Sequence, residues 1–350
     1  MPDRSYGRAS LVADLPSDQA VTLTLTSPLG RHQQTTTATE VYPGRYQAVV
    51  DLPASPREDG LWQATWAWDG GEVVEELLVG PVPPFASQLA DLMLDLAERL
   101  GPIWRGRVES GSEALLVDTE LSGVTQDAVG LFLLRLPPDL EQGAWRRVSD
   151  YAYQTLHLDR PFATPLAEGS PYALLSTSPD QLLGAITRAI RSVGHIGRII
   201  VLATDIPIEG GLVPIPRGWR AVHRVVLRTA GSGLTGAGTG EQVRDLRPSE
   251  WAMAPGGQVR LLVPGAEGTV DLEGHRLPGL PRRLDAWVDL DPVLVAAQAS
   301  SELLLSRSGG PAVDPDERLR RAGLAIQEAE QLRRSRVHRL PHNSRPVLWP

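Results

Sequence analysis

The sequence predicts a multi-domain α+β protein with three parts. A β-sandwich covers residues 1–80, and a helical bundle over 85–340 carries barrel-like β-inserts at about 110–176 and 198–288. An extended tail follows over residues 341–350. Three observations predict this layout. Between residues 10 and 80 apolar side chains recur at every second position, the period of a half-buried strand. Four later stretches carry apolar residues at helical spacing instead. Proline and glycine clusters separate these stretches, and Pro81-Val82-Pro83-Pro84 reads as a stiff linker.

In the first module, Val21, Leu23 and Leu25 alternate with Thr22, Thr24 and Thr26, and Tyr46, Ala48 and Val50 follow the Pro43-Gly44 turn. The run Gly60 to Trp68, the Asp69-Gly70-Gly71 turn and Val73-Val74 then make a hairpin signal. Short strands at this spacing suggest a small sandwich. Behind the linker, Leu89, Leu92, Met93, Leu96, Ala97 and Leu100 share one helical face, and Gly101-Pro102 ends that helix. Strand-like runs return at 115–117, 129–136, 145–148, 156–158 and 172–175. A second helix begins at Ser178-Pro179, with Gln181 placed for a capping box. Further strands are expected at 199–202, 222–227 and 259–263, then helices from Asp291-Pro292 and from Asp314-Pro315, the latter with Glu317 in capping position.

Composition narrows the chemistry. Hydrophobic residues at 42% and charged residues at 22% are ordinary for a soluble domain. No apolar run nears the roughly 20 residues of a membrane-spanning helix, and the opening Met1-Pro2-Asp3-Arg4 lacks a secretory layout, so a cytoplasmic product is expected. The chain has no cysteine, which excludes disulfides, thiolate nucleophiles and Cys-based zinc sites. Every basic side chain is arginine. A net charge of −8 argues against general nucleic-acid binding. After Gln331, however, the chain carries Arg333, Arg334, Arg336, Arg339 and Arg345 and no acid.

No catalytic residue, cofactor site or metal site is expected. Gly231-Ser232-Gly233-Leu234-Thr235-Gly236 matches the dinucleotide glycine pattern formally, but glycines and Pro248 follow it where a phosphate-binding helix is needed. It reads as a flexible loop over 230–240. The seven histidines are scattered, and Pro341 spoils the one close pair, His338 and His342, for metal binding. Acidic pairs such as Asp289/Asp291 and Asp314/Asp316 sit at helix starts, where carboxylates cap. Trp62, Trp66 and Trp68 share one strand face, read first as core and alternatively as a glycan- or partner-binding strip. Trp349, on a segment stiffened by proline and bearing arginine, reads with the five arginines as a partner-docking element.

Two resemblances follow from these residues. The Gly44-Arg45-Tyr46 and Gly60-Leu61-Trp62 strings, with Trp66 behind, resemble immunoglobulin-like domains appended to phage and cell-surface proteins, without the cysteine pair of antibody domains. Over residues 86–350 the layout is similar to that of tailed-bacteriophage virion proteins of the head–tail connector (adaptor, neck) type. The strings that carry it are Leu115 to Thr119, Val129 to Phe132, Trp145 to Tyr151, Leu156 to Phe162, Ser178 to Ile190, Pro214 to Arg220 and Ala296 to Leu304. The resemblance implies a non-enzymatic homo-oligomer, a ring (a dodecamer) under the portal protein that also meets a tail or neck protein. It implies a virion location after synthesis in the host cytoplasm, no membrane, and DNA only as passing cargo. The alternative is a tail, baseplate or capsid-surface protein whose sandwich binds a receptor or glycan.

Overall fold

The computed structural model describes residues 7–80, 87–123, 128–139, 141–194, 199–230, 241–281, 283–306, 314–336 and 345–346. Along the chain, seven strands come first: β1 (Gly7–Asp14), β2 (Thr22–Thr26), β3 (Gln33–Thr37), β4 (Thr39–Tyr42), β5 (Arg45–Leu52), β6 (Gly60–Trp68) and β7 (Gly71–Val79). Then come β8 (Ser87–Gln88), α1 (Leu89–Leu100), β9 (Ile103–Arg107), β10 (Ser110–Gly111), β11 (Leu115–Val117) and β12 (Phe132–Arg135). They are followed by β13 (Trp145–Ala152), β14 (Thr155–Leu158), β15 (Pro171–Leu175) and α2 (Pro179–Gly194). A third stretch holds β16 (Ile199–Pro207), β17 (Leu212–Pro214), β18 (Trp219–Ala230), β19 (Glu241–Asp245), β20 (Trp251–Ala254), β21 (Gln258–Leu261) and β22 (Thr269–Arg276). The chain closes with β23 (Trp287–Val288), α3 (Pro292–Ser306), α4 (Pro315–Arg336) and β24 (Arg345–Pro346). The result is a mixed α+β fold with several sheets. Among the described residues no helix is long and apolar enough to cross a membrane.

The chain divides into two compact units, and the division cuts across the order read from the sequence. Residues 1–83, 197–279 and 338–350 make the first; residues 84–196 and 280–337 make the second. The expected second β-insert therefore belongs with the N-terminal module rather than with the helices. The Gly-rich segment 231–240 lies outside the described residues.

In the first unit, sheets β1-β5-β4 and β3-β2-β6-β7 close on one core. The period-2 alternation is the cause. Leu11, Leu23, Leu25, Tyr46, Ala48, Val50, Trp62, Ala64 and Trp66 are buried and their neighbours along each strand face outward. A second two-sheet core joins β16-β22-β18-β19 to β17-β21-β20 around Trp219, Val225, Trp251, Val259 and Leu272. What binds these two cores is a short acidic segment before β6. Glu58 and Asp59 are 1% and 0% exposed. Glu58 accepts from Arg31 Nε at 2.7 Å and from the Leu29 amide at 3.1 Å, while Arg31 also donates to the Thr204 and Asp205 carbonyls. Asp59 takes both forks of Arg57 and the Leu202 amide. The backbone does the same work: the Trp62 indole donates to the Glu58 carbonyl at 3.0 Å, and the Trp219 indole to the Asp59 carbonyl at 2.7 Å.

In the second unit, a seven-stranded sheet runs β10-β11-β14-β13-β12-β15-β9. Its two end strands, β9 and β10, are separated in the chain only by Val108 and Glu109, so the sheet curls back on itself. Inside lie Leu116, Leu133, Val148, Leu156, Tyr172 and Leu174. Tyr172 donates to Asp118 Oδ2 at 2.6 Å, and Gly106 leaves the space: a Cβ there would meet that same oxygen at 2.4 Å. The buried Arg135 is held by Asp139 and Glu141 and by the Thr164 carbonyl. Helix α3 packs on α1, α2 and α4 and is apolar nearly all round, as a helix covered on several sides must be. Its start is capped by Asp291 Oδ1, which accepts from the Val293 and Leu294 amides; Asp314 accepts from the Asp316 amide at the start of α4. Glu317 turns instead to Arg320 and Arg321, whose hydrogen bonds pull its pKa down to about 2.

Two outcomes test this packing. The Trp66 indole N–H is buried without an acceptor among the described residues, whereas the Trp62 N–H has one. Trp62→Phe should therefore cost about 1 kcal/mol more than Trp66→Phe, since both lose similar area but only the first loses a hydrogen bond. Urea unfolding of the two variants decides it, and equal midpoints would refute the pairing. The second concerns Tyr172, whose pKa is raised above the usual 10.0 by burial first and then by its bond to Asp118 and that group's charge. Above pH 10.0 the unfolded chain releases this proton and the folded chain keeps it, so the group's contribution is present below that pH and lost as pH rises beyond it. Tyr172→Phe should cost ~1–3 kcal/mol at neutral pH, by stripping a donor from a buried carboxylate. It should also flatten the alkaline fall in stability. Unchanged unfolding at both pH values would contradict this.

Candidate functional site

The long strand β18 carries the candidate site. One of its edges pairs with β22 from Trp219 to Arg228. The other edge is shared: β19 takes Val226 to Ala230, and the C-terminal strand β24 takes Ala221 and Val222, opposite Pro346 and Arg345. The ladder to β22 breaks twice at this place, between Trp219 and Ala221 and between Val222 and Arg224, so Arg220 and His223 are extra residues. Such bulges bend a strand and re-aim its side chains. Gly274 opposite makes the bend fit, because a Cβ there would meet the Ala221 carbonyl at 2.3 Å and the Trp219 ring at 2.5 Å.

The bulge at His223 brings its ring onto His275. The rings stack at 4.9 Å and 14°, with His275 Nδ1 and His223 Nε2 3.1 Å apart. One nitrogen of that pair donates and the other accepts, so the contact holds one proton, not two. Beside it, His223, Arg224, Asp245, Leu246, Arg247, Pro248, Trp251 and Glu273 line an open cleft of about 400 Å³. Arg224 donates to Asp245 at 2.8 Å and lies 3.9 Å from Glu273, and the Asp245 hydrogen bond raises its pKa. Arg244 pairs with Glu250. Of the charged groups that line the cleft, Arg224 is thus matched within the chain by Asp245 and Glu273. Among the described residues no three His, Asp or Glu side chains gather closely enough to hold a metal ion.

The six residues expected to dock a partner do not form one element. Arg333 and Arg334 lie on α4, and Arg336 is its last residue. Arg333 turns to α3, donating to Gln298 at 3.4 Å, while the exposed Arg334 pairs with Glu330 at 3.4 Å. Arg345 is on β24 in the other unit, and Arg339 and Trp349 lie outside the described residues. Trp62 and Trp66 are core, 1% and 0% exposed, so they do not line a surface. Sequence reasoning missed the histidine pair, whose members are 52 residues apart and meet only through strand register. The one available signal was weak: His223 and His275 both sit in runs of strand-like residues.

No family model matches the chain, and no curated protein matches it. Two crystal structures of S. aureus TarS are similar at low identity. With the TarS 217-571 structure the identity is 11%, over 80% of this chain and 54% of that one, at a TM-score of 0.17. With the longer TarS structure it is 10%, over 82% of this chain and 38% of that one, at a TM-score of 0.17. The chain thus spans about half or less of these proteins' lengths, and likeness at this level does not establish a shared fold.

Deleting Pro341–Pro350 should leave the thermal unfolding transition in place. It should also speed amide exchange at whichever of Ala221 and Val222 turns its N–H toward β24, while the amides of Val226 to Ala230 that face β19 stay protected. Unchanged exchange at Ala221 and Val222 would mean that β24 does not pair there in solution.

Proposed function

We propose that this chain is a non-enzymatic structural protein of a tailed bacteriophage, a head–tail connector whose copies form a ring between portal and tail. In this reading the N-terminal module is an immunoglobulin-like sandwich, the four helices are a bundle interrupted by β-modules, and the protein resides in the virion. DNA passes it as cargo. Arg333, Arg334, Arg336, Arg339, Arg345 and Trp349 are its docking residues toward the portal or a tail protein.

One observation carries the assembling part of the reading. Helix α4 meets α3 through small residues, Ala322, Ala325 and Ala329, all buried. Three of its four large apolar side chains point elsewhere: Leu319, Leu324 and Ile326 are 55%, 53% and 39% exposed, and Leu332 alone is partly buried. A surface helix that completes its burial within one chain does the reverse. Large side chains left out on an otherwise charged helix are the composition of a contact surface, where apolar anchors sit within a polar rim. A second copy is the partner this reading supplies.

Native mass spectrometry and negative-stain imaging of the purified chain, with and without a candidate portal, test the proposal. Rings are expected, and Leu319→Glu combined with Ile326→Glu should weaken assembly at least about tenfold, the loss of roughly 1.4 kcal/mol, without unfolding the chain. A chain that stays monomeric at all concentrations and ignores the portal would overturn it.

A further inference from the structure

We infer that Arg146 and Arg160 form a binding site for a phosphate group that carries two negative charges, a free phosphate or a phosphate monoester. Both residues lie in the second unit, and neither takes part in the assembly proposed above.

Two arginines share the buried ring of Phe162 and differ in what neutralises them. The Arg135 guanidinium lies 5.2 Å from the ring centroid and is ion-paired with Asp139 at 2.7 Å and Glu141 at 2.6 Å. The Arg146 guanidinium lies closer, at 4.5 Å, yet among the described residues no carboxylate comes within ion-pairing distance of it. Its Nε donates to the Pro161 carbonyl at 2.9 Å and its Nη1 to the Trp145 carbonyl at 2.7 Å, which fixes the planar fork in one orientation. Its Nη2 makes no hydrogen bond among the described residues. A half-buried cation held by two carbonyls and a ring, but by no anion, is organised in advance for one.

Arg160 supplies the second charge. Its guanidinium sits 5.8 Å from the centroid of the Trp145 ring. That ring is itself fixed: its indole donates to Asp180 at 3.1 Å, and Phe132 meets it edge-on at 5.3 Å. Among the described residues this ring contact is the only tie of the exposed Arg160 side chain. The two guanidiniums oppose each other, since the Arg146 pKa is lowered by burial first and by the Arg160 charge next. Glu141 and Asp159 offset this in part, but Glu141 is paired with Arg135 and Asp159 accepts from the Arg147 amide.

Two unmatched cations call for two negative charges in one group. A carboxylate brings one charge and is met by a single fork, whereas a phosphate monoester brings nearly two, on three acceptor oxygens. A nucleic-acid track needs a longer run of such cations, and the net charge of −8 opposes one.

Calorimetric titration of the full chain with sodium phosphate, slightly above neutral pH, tests the site. Sodium acetate at matched ionic strength is the one-charge control. Saturable phosphate binding is expected, at least about tenfold tighter than acetate. Arg160→Gln should weaken it at least about tenfold with little change in the thermal unfolding midpoint, because the side chain touches only a ring. Arg160→Lys keeps the charge, loses the fork and should restore part of the affinity. Arg147→Gln controls for overall charge. That residue follows Arg146 on β13, covers Gly130 from the other face of the strand and should leave phosphate affinity within about twofold. Equal losses in Arg147→Gln and Arg160→Gln, acetate binding as tight as phosphate, or no saturable binding would each overturn the site. So would a hydroxyl-ended oligothymidylate that binds more tightly than phosphate, which would make the patch a nucleic-acid surface.

Discussion

Two buried carboxylates, Glu58 and Asp59, hold the first unit together. Removing a carboxylate from water costs several kcal/mol unless its oxygens are met by well-placed donors. Here the donors come from three parts of the chain, Leu29 and Arg31 from one of them. Arg31 follows β2, Arg57 precedes the pair, and the Leu202 amide belongs to β16. The Thr204 carbonyl and hydroxyl are bonded by Arg31 and the Arg57 amide. Neither β-core can therefore shift against this segment without stranding a charge. The two indoles that read the Glu58 and Asp59 carbonyls, Trp62 and Trp219, come from the two cores, one each. The segment works as a bolt whose four carboxylate oxygens and two carbonyls are all engaged.

That bolt explains why the domain order along the chain misleads. A reader of the sequence sees a sandwich that ends at the proline linker and later β-rich stretches among the helices. Nothing local in Ser55-Pro56-Arg57-Glu58-Asp59-Gly60 marks it as a buried junction. Only the three-dimensional placement of Arg31, Leu202 and Thr204 turns it into a buried junction. Local pattern was sufficient where local physics decides: the alternation of Val21 to Thr26, the hairpin at Gly70-Gly71, and the helix that starts at Pro292 under Asp291. Glu317 shows the opposite case. Its spacing fits a capping box, yet two arginines within one helical turn compete for the carboxylate and take it.

The candidate site was illegible for a related reason. His223 and His275 meet because a bulge rotates one residue out of the β18 ladder and because Gly274 lets β18 come close. A bulge shifts facing by one residue, and a period-2 reading cannot see it. The arginine-rich C-terminal region was legible as composition but not as structure. Among the described residues its arginines divide between a helix and an edge strand, and Arg333 is occupied with α3.

The seat of helix α4 follows from one constraint, the narrow face that α3 offers. Because α3 is already covered by α1 and α2, the buried face of α4 is mostly alanine, with Leu332 partly buried, and Leu319, Leu324 and Ile326 are left outward. A helix seated on alanines buries little area of its own, about 25 cal/mol for each Å² covered, so its position gains from anything that covers the exposed leucines. Among the described residues its further ties to its neighbours are polar: Arg333 donates to Gln298 of α3, and Glu328 accepts from Arg99 of α1.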